Sequence, residues 1–203
     1  MTKLLLATHN RGKIRELQDI LSGVGVELVT PQALGLDLEL DENGSTFLEN
    51  AAKKAIAYAK HSNLLTLADD SGLEVDVLNG APGIYSARYS PKPQANDKDR
   101  RDYLIEQLQG HVKPWLANFH CTVVLATPAG ETQFAEGLCQ GEIVSTERGE
   151  GGFGYDPIFQ VAGLGKTMSE LSLAEKNQIS HRSRAVKALL PVLLTYVKSP
   201  QNS

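Results

Sequence analysis

Apolar and polar positions alternate along this chain in two distinct periods. Leu4-Leu5-Leu6-Ala7 is apolar at every position, as in a strand covered on both faces, and Lys13 to Leu21 places Ile14, Leu17, Ile20 and Leu21 on one helical face. Val26-Glu27-Leu28-Val29 predicts a second strand. Thr46 and Glu49 form a capping-box pattern ahead of a stripe of Phe47, Leu48, Ala51, Ala52, Ala55, Ile56 and Ala59, which predicts a long helix. Leu64 to Ala68 predicts a buried strand that breaks at Asp69-Asp70-Ser71-Gly72, and the alternation of Leu73, Val75 and Val77 with Glu74 and Asp76 predicts another, half-buried one. A short element is expected over Ile84 to Tyr89, then an exposed loop, Ser90 to Lys98, and a helix from about Asp99 to Leu108. Phe119 to Thr127 and Thr132 to Leu138 read as a hairpin about Pro128 to Glu131, with Glu142 to Ser145 extending the sheet. Ser172 and Glu175 cap a short helix, and a last helix opens at Ser180-His181-Arg182 and runs toward Val197, with Pro191 expected to kink or divide it.

This alternation of strands and helices fits an α/β class, and 203 residues with 41% hydrophobic content suffice for one large domain or two lobes. Twenty Lys+Arg against 24 Asp+Glu give a net charge of −4, which argues against broad affinity for nucleic acid or anionic lipid. Cys121 and Cys139 match no zinc or redox spacing, so reduced, buried thiols are expected. The apolar run before His9-Asn10-Arg11 is too short for a signal peptide, and no segment approaches membrane-spanning length, so a cytoplasmic location is expected.

Candidate chemistry concentrates in a few loops. Thr8-His9-Asn10-Arg11-Gly12-Lys13 precedes a helix whose first N–H groups and positive dipole end suit an anion such as phosphate, although the loop is not a Walker A sequence. Where the Leu64–Ala68 run gives way to Asp69 and Asp70, either carboxylate suits handling of a metal ion and a water; Asp, Ser and Gly are equally ordinary turn formers. Glu42, in an acidic loop before the second helix, has no local duty and is a freer candidate metal ligand. Gly151-Gly152-Phe153-Gly154-Tyr155-Asp156 lets backbone approach a ligand and offers Phe153 for stacking on a flat base. His181 and Arg182 oppose the helix dipole at a helix start, which points to an acceptor they serve.

Taken together, these stretches resemble the inosine triphosphate pyrophosphatase family, the dITP/XTP pyrophosphatases, over nearly the whole chain. The likeness rests on Thr8-x-Asn10-x-x-Lys13, Thr46-Phe47-x-Glu49-Asn50-Ala51, Ala68 to Leu73, Gly80 to Tyr89, Gly152 to Pro157, and Lys176-Asn177 with Ser180-His181-Arg182. The resemblance implies a single domain over 1–203 of two lobes, a long mixed β-sheet flanked by helices, and an active cleft between the lobes. It also implies a Mg²⁺ requirement and a homodimer, and a tail disordered over about 199–203 is expected. Residue by residue, it implies Asp70 as proton acceptor and, with Glu42, as metal ligand. Thr8, His9, Asn10, Arg11, Gly12, Lys13 and Lys54 would hold the triphosphate, and Ser71, Phe153, Gly154, Tyr155, Asp156, Lys176, His181 and Arg182 the rest of the substrate, the later ones mainly at the base. It assigns no role to the charged helix from Asp99 to Leu108.

The expected reaction is hydrolysis of ITP, dITP or XTP to the monophosphate and pyrophosphate. Adjacent strand residues face opposite sides, so Asp70 takes the main role and Asp69 a supporting one. Donors such as Arg182 and His181 would favour a 6-keto purine over adenine. The rival readings are a different nucleotide phosphohydrolase or phosphotransferase, and a non-catalytic purine nucleotide sensor that has no need of Asp70.

Overall fold

The computed structural model describes residues 1–198, so the expected disorder from about 199 lies outside the described residues. In chain order it contains β1 (Thr2–Leu6), α1 (Arg11–Ile20), β2 (Val26–Val29), α2 (Phe47–Ser62), β3 (Leu65–Val75), α3 (Asp97–Leu108), β4 (Trp115–Ala126), β5 (Thr132–Ile143), β6 (Phe159–Val161), α4 (Leu173–Ile179) and α5 (His181–Lys198). The strands form one sheet in the order β2-β1-β3-β4-β5-β6. β1 runs parallel to β2 and β3, with Leu4 opposite Leu65, while β5 and β6 are antiparallel, so the sheet is mixed as expected.

The chain divides into two compact units. The first comprises Met1–Asp70, Cys121–Gly137 and the described residues from Arg182 onward; the second comprises Ser71–His120 and Leu138–His181. In the first unit the all-apolar run from Leu4 to Ala7 is explained by burial on both sides. Leu4 and Leu6 pack with Leu17, Leu67, Val123 and Leu189, whereas Leu5 and Ala7 pack with Ala51, Ala55, Tyr58 and Val124. The period of two along the strand thus feeds two separate layers of core. In the second unit a single cluster gathers Leu73 and Val75 from β3, Leu104 and Leu108 from α3, Trp115 and Phe119 from β4, and Tyr155, Phe159 and Met168.

Several boundaries differ from the sequence reading. β3 does not break at Asp69-Asp70-Ser71-Gly72 but continues to Val75, while Val77 falls in the 3-10 turn Asp76–Leu78. Both carboxylates are buried and find side-chain partners elsewhere, so the turn formers are not left to make a local turn. α1 begins at Arg11 rather than Lys13, and α3 at Asp97, capped by Asn96. The hairpin is longer than expected, with β5 absorbing Glu142 and Ile143, and β6, only three residues long, has no counterpart in the pattern. α5 is not divided at Pro191, which sits on its exposed side within one continuous helix. Both cysteines are buried thiols, outside any disulfide.

Candidate active site

The loop after β1 is shaped by Asn10. Its Oδ1 accepts from the N–H groups of Gly12 at 2.8 Å and Lys13 at 3.1 Å, and Thr8 Oγ1 accepts from the N–H of Asn10 at 3.2 Å. Such a cap stabilises a helix by about 1 kcal/mol. It also corrects the expectation of an open helix start, because two of the N–H groups offered to an anion are already engaged. What the loop presents is side chains: exposed Asn10 and Arg11, and half-buried Lys13. A hydrogen bond joins His9 Nε2 to the Tyr58 hydroxyl at 2.9 Å.

β3 then delivers its two carboxylates to different partners. Asp69 Oδ2 lies 3.0 Å from Lys13 Nζ and accepts from Arg182 Nε at 3.0 Å, and Arg182 Nη1 pairs with Glu16 of α1. Asp70 Oδ2 instead accepts from Asn50 Nδ2 at 3.0 Å, and that amide is fixed in turn because Asn50 Oδ1 accepts from the N–H of Gly44 at 2.8 Å. Lys54, one turn beyond Asn50 on α2, pairs with Glu42 at 2.5 Å and points toward the Asp69 carbonyl at 3.4 Å. Glu42 therefore has a partner that its place in a loop did not reveal, and Lys53 turns away to Asn43. The Glu49 carboxylate accepts from the N–H and the hydroxyl of Ser45, while Thr46 Oγ1 accepts from the N–H of Glu49.

This arrangement splits the two carboxyls electrostatically. Burial raises the Asp69 carboxyl, but Lys13, Arg182 and Lys54 overwhelm that effect and hold it far below the usual carboxylate range. For Asp70 burial prevails over Lys13, Lys54 and Asn50, and the carboxyl is pushed up. Burial works against the Lys54 ammonium, yet Glu42 and the two aspartates keep it charged, with its pKa raised. The result is one aspartate held ionised that organises cations and one whose surroundings favour taking a proton.

In the second unit the glycine-laden loop is built around Asp156. Its Oδ2 accepts from the N–H of Phe153 at 2.9 Å and pairs with Lys176 Nζ at 2.5 Å, with both side chains of that pair almost wholly buried. Gly152 has φ of +74°, and a Cβ there would lie 2.0 Å from Asp156 Oδ2, so only glycine fits. Lys176 Nζ sits 5.0 Å from the centre of the Phe153 ring. The Tyr155 hydroxyl donates to the carbonyl of Ser86 at 2.9 Å, and burial pushes this phenol up. His181 stacks on Phe119 with ring centres 4.7 Å apart. Ser71, inside β3, is half-buried.

The sequence-selected residues therefore gather in two groups: Lys13, Glu42, Lys54 and Asp70 in the first unit, and Phe153 to Asp156 with Lys176 and His181 in the second. Arg182 joins the first group rather than the base loop. It is 1% exposed, and its Nε and Nη1 are spent on Asp69 and Glu16, which leaves the sequence-based role of those nitrogens at a keto oxygen without support. Glu16 and Asn50 escaped selection. Asn50 was legible as a polar residue three positions after Phe47 on the apolar stripe of α2.

The family model described as the Ham1 family matches residues 4–192. The chain is 44% identical over 194 residues to a dITP/XTP pyrophosphatase of Bacillus subtilis, covering 95% of this chain and 98% of that one. It is 48% identical over 190 residues to a dITP/XTP pyrophosphatase of Thermus thermophilus, covering 93% and 90%. Among solved structures it is similar to a Ham1 protein from Coxiella burnetii, with a TM-score of 0.86 and 38% identity over 96% of this chain and 100% of that one. The Staphylococcus aureus Ham1 protein gives a TM-score of 0.83 and 40% identity over the same shares.

Proposed function

This chain belongs to the Ham1 family, and on that premise we propose that it hydrolyses the non-standard purine nucleoside triphosphates ITP, dITP and XTP, releasing the monophosphate and pyrophosphate. The observation that carries the chemistry is the set Asp70, Asn50, Lys13, Lys54 and Glu42 around the first half of β3. Attack of water at the α-phosphorus requires neutralised phosphate oxygens, an aligned nucleophile and a place for its proton. Lys13 and Lys54 supply positive charge. Asp70, held by Asn50, takes the proton from the water as its oxygen bonds to phosphorus, and the phosphorus–oxygen bond to the leaving pyrophosphate breaks.

Glu42 and Asp70 offer the hard oxygens that Mg²⁺ takes, in a set that leaves its remaining positions to water and phosphate oxygens, since the described residues hold no group of three or more His, Cys, Asp or Glu placed to bind a metal ion. When bound, Mg²⁺ would neutralise phosphate oxygens and favour departure of pyrophosphate. Glu42 would hold it from the loop before α2 and Asp70 from β3. The residues proposed for the base are Phe153 to Asp156, Lys176 and His181, with Phe153 supplying the stacking face. A homodimer and a cytoplasmic location stay part of this reading; among the described residues no helix is long and apolar enough to cross a membrane.

Incubating the protein with ITP and Mg²⁺ and identifying the products tests the reading. IMP with pyrophosphate is expected. IDP with phosphate would assign a different phosphohydrolase, and binding without turnover would assign a sensor.

A further inference from the structure

α3 carries charge along most of its first two turns, with no purpose evident from local spacing. Part of it is ordinary helix maintenance. Asp99 closes a capping box with Asn96, and Lys98 pairs with Asp102 one turn on, both largely exposed. The remainder is directed at one residue. Asp97 Oδ2 accepts from the N–H of Gly154 at 2.7 Å, and Arg101 Nη1 donates to the carbonyl of Gly154 at 2.8 Å. Each grip is itself braced: Arg100 pairs with the other oxygen of Asp97, and Glu147 takes Arg101 in a two-bond fork at 3.0 and 3.1 Å.

Gly154 is where such a grip matters. Its neighbours are fixed from other directions, Phe153 and Asp156 by their mutual bond and Lys176, and Tyr155 by Ser86. Gly154 has no side chain, and its φ of +61° lies in the left-handed region, so it is the point at which the loop has most freedom to lose. Charge-assisted bonds to both of its peptide groups remove that freedom before any ligand arrives.

We propose that Asp97 and Arg101 are positioning residues for base recognition, gripping the N–H and the carbonyl of Gly154 so that Phe153 to Asp156 are held ready for a purine. This rests on the reading of that loop as the base site, and it makes α3 a determinant of specificity.

The test compares Asp97→Ala, Arg101→Ala, Asp97→Asn and Phe153→Ala in the full-length protein. Asp97→Ala and Arg101→Ala are expected to raise KM for ITP on the order of tenfold while kcat changes less than about twofold, and to lower the ITP-to-ATP selectivity. Asp97→Asn keeps an acceptor oxygen for Gly154 and is expected to restore most of the loss. Hydrogen exchange at the Gly154 amide, read by NMR without substrate, should accelerate in Asp97→Ala and not in Asp97→Asn. An unchanged exchange rate in Asp97→Ala overturns the proposal. So does faster exchange with unchanged KM when Phe153→Ala does raise KM, because the loop then needs no grip. An equal loss of kcat for ITP and ATP also overturns it, as that is the mark of a general structural role. If Phe153→Ala leaves KM unchanged too, it is the base-site reading itself that fails.

Discussion

Asp69 and Asp70 are neighbours in one strand whose carboxyls are driven in opposite directions, the first down by Lys13 and Arg182 against its burial, the second up by burial. The alternation of side chains along an unbroken β3 is what permits it, since one residue faces the cations of α1 and α5 while the next faces Asn50 of α2.

A stability experiment separates them. The raised Asp70 carboxyl means that the fold prefers its neutral form, so its ionisation costs stability as the pH rises through its folded pKa. With chelator present, Asp70→Asn should melt above the parent protein near neutral pH, the advantage vanishing below the ordinary aspartate range. Its turnover should fall roughly a hundredfold or more. Near-parental turnover would move the base elsewhere.

Asp69 has the reverse sign. Its stabilisation is present above the ordinary aspartate pKa and is lost as the pH falls toward its depressed folded value. Asp69→Asn leaves buried Arg182 and half-buried Lys13 short of a counter-charge and should cost about 3 to 5 kcal/mol in urea unfolding at neutral pH. Arg182→Ala should cost a similar amount, since Glu16 and Asp69 are left buried together, and this loss should precede any change in base preference. A stable Arg182→Ala protein with altered ITP-to-ATP selectivity would return Arg182 to the base site.

Activity should require Mg²⁺ and disappear in excess chelator. Glu42→Ala is expected to raise the Mg²⁺ concentration for half-maximal activity by about tenfold or more. Calorimetric titration of Mg²⁺ into each protein checks this without turnover. Equal Mg²⁺ affinities would leave Glu42 as no more than the counter-ion of Lys54.

Phe153→Ala should weaken ITP and ATP alike, by about 1 to 3 kcal/mol in kcat/KM, because every base has a stacking face. A change confined to ITP would mean that the ring discriminates. Lys176, already drawn to that ring and to Asp156, should lose its anchorage in Asp156→Asn, with KM rising more than kcat falls.

The sequence reveals what repeats locally. β1 was legible because four consecutive apolar residues imply cover on both faces, and α2 because Thr46 caps it and an alanine-rich stripe follows. β3 was misread because Asp, Ser and Gly usually report a turn; here the partners that keep them in a strand come from residues as distant as Lys13, Asn50 and Arg182. The same limit hid the Glu42–Lys54 pair, the burial of Arg182 and the hold of α3 on Gly154. β6 is too short to show a period. Long-range pairing of charges leaves no trace in local spacing, whereas a cap or an apolar stripe does.

Cys121 and Cys139 are thiols outside any disulfide, and each is buried in a different unit, Cys121 in the cluster that includes Leu4 and Leu189, Cys139 in the cluster of Phe119 and Trp115. Burial first and then the Asp69 charge push the Cys121 thiol up, so in the closed structure it stays protonated and unreactive. The molecule thus carries two silent reporters, one per unit, that a thiol reagent can reach only when the surrounding structure opens. Pulse labelling followed by peptide mapping would time the opening of each unit separately, with no engineered probe.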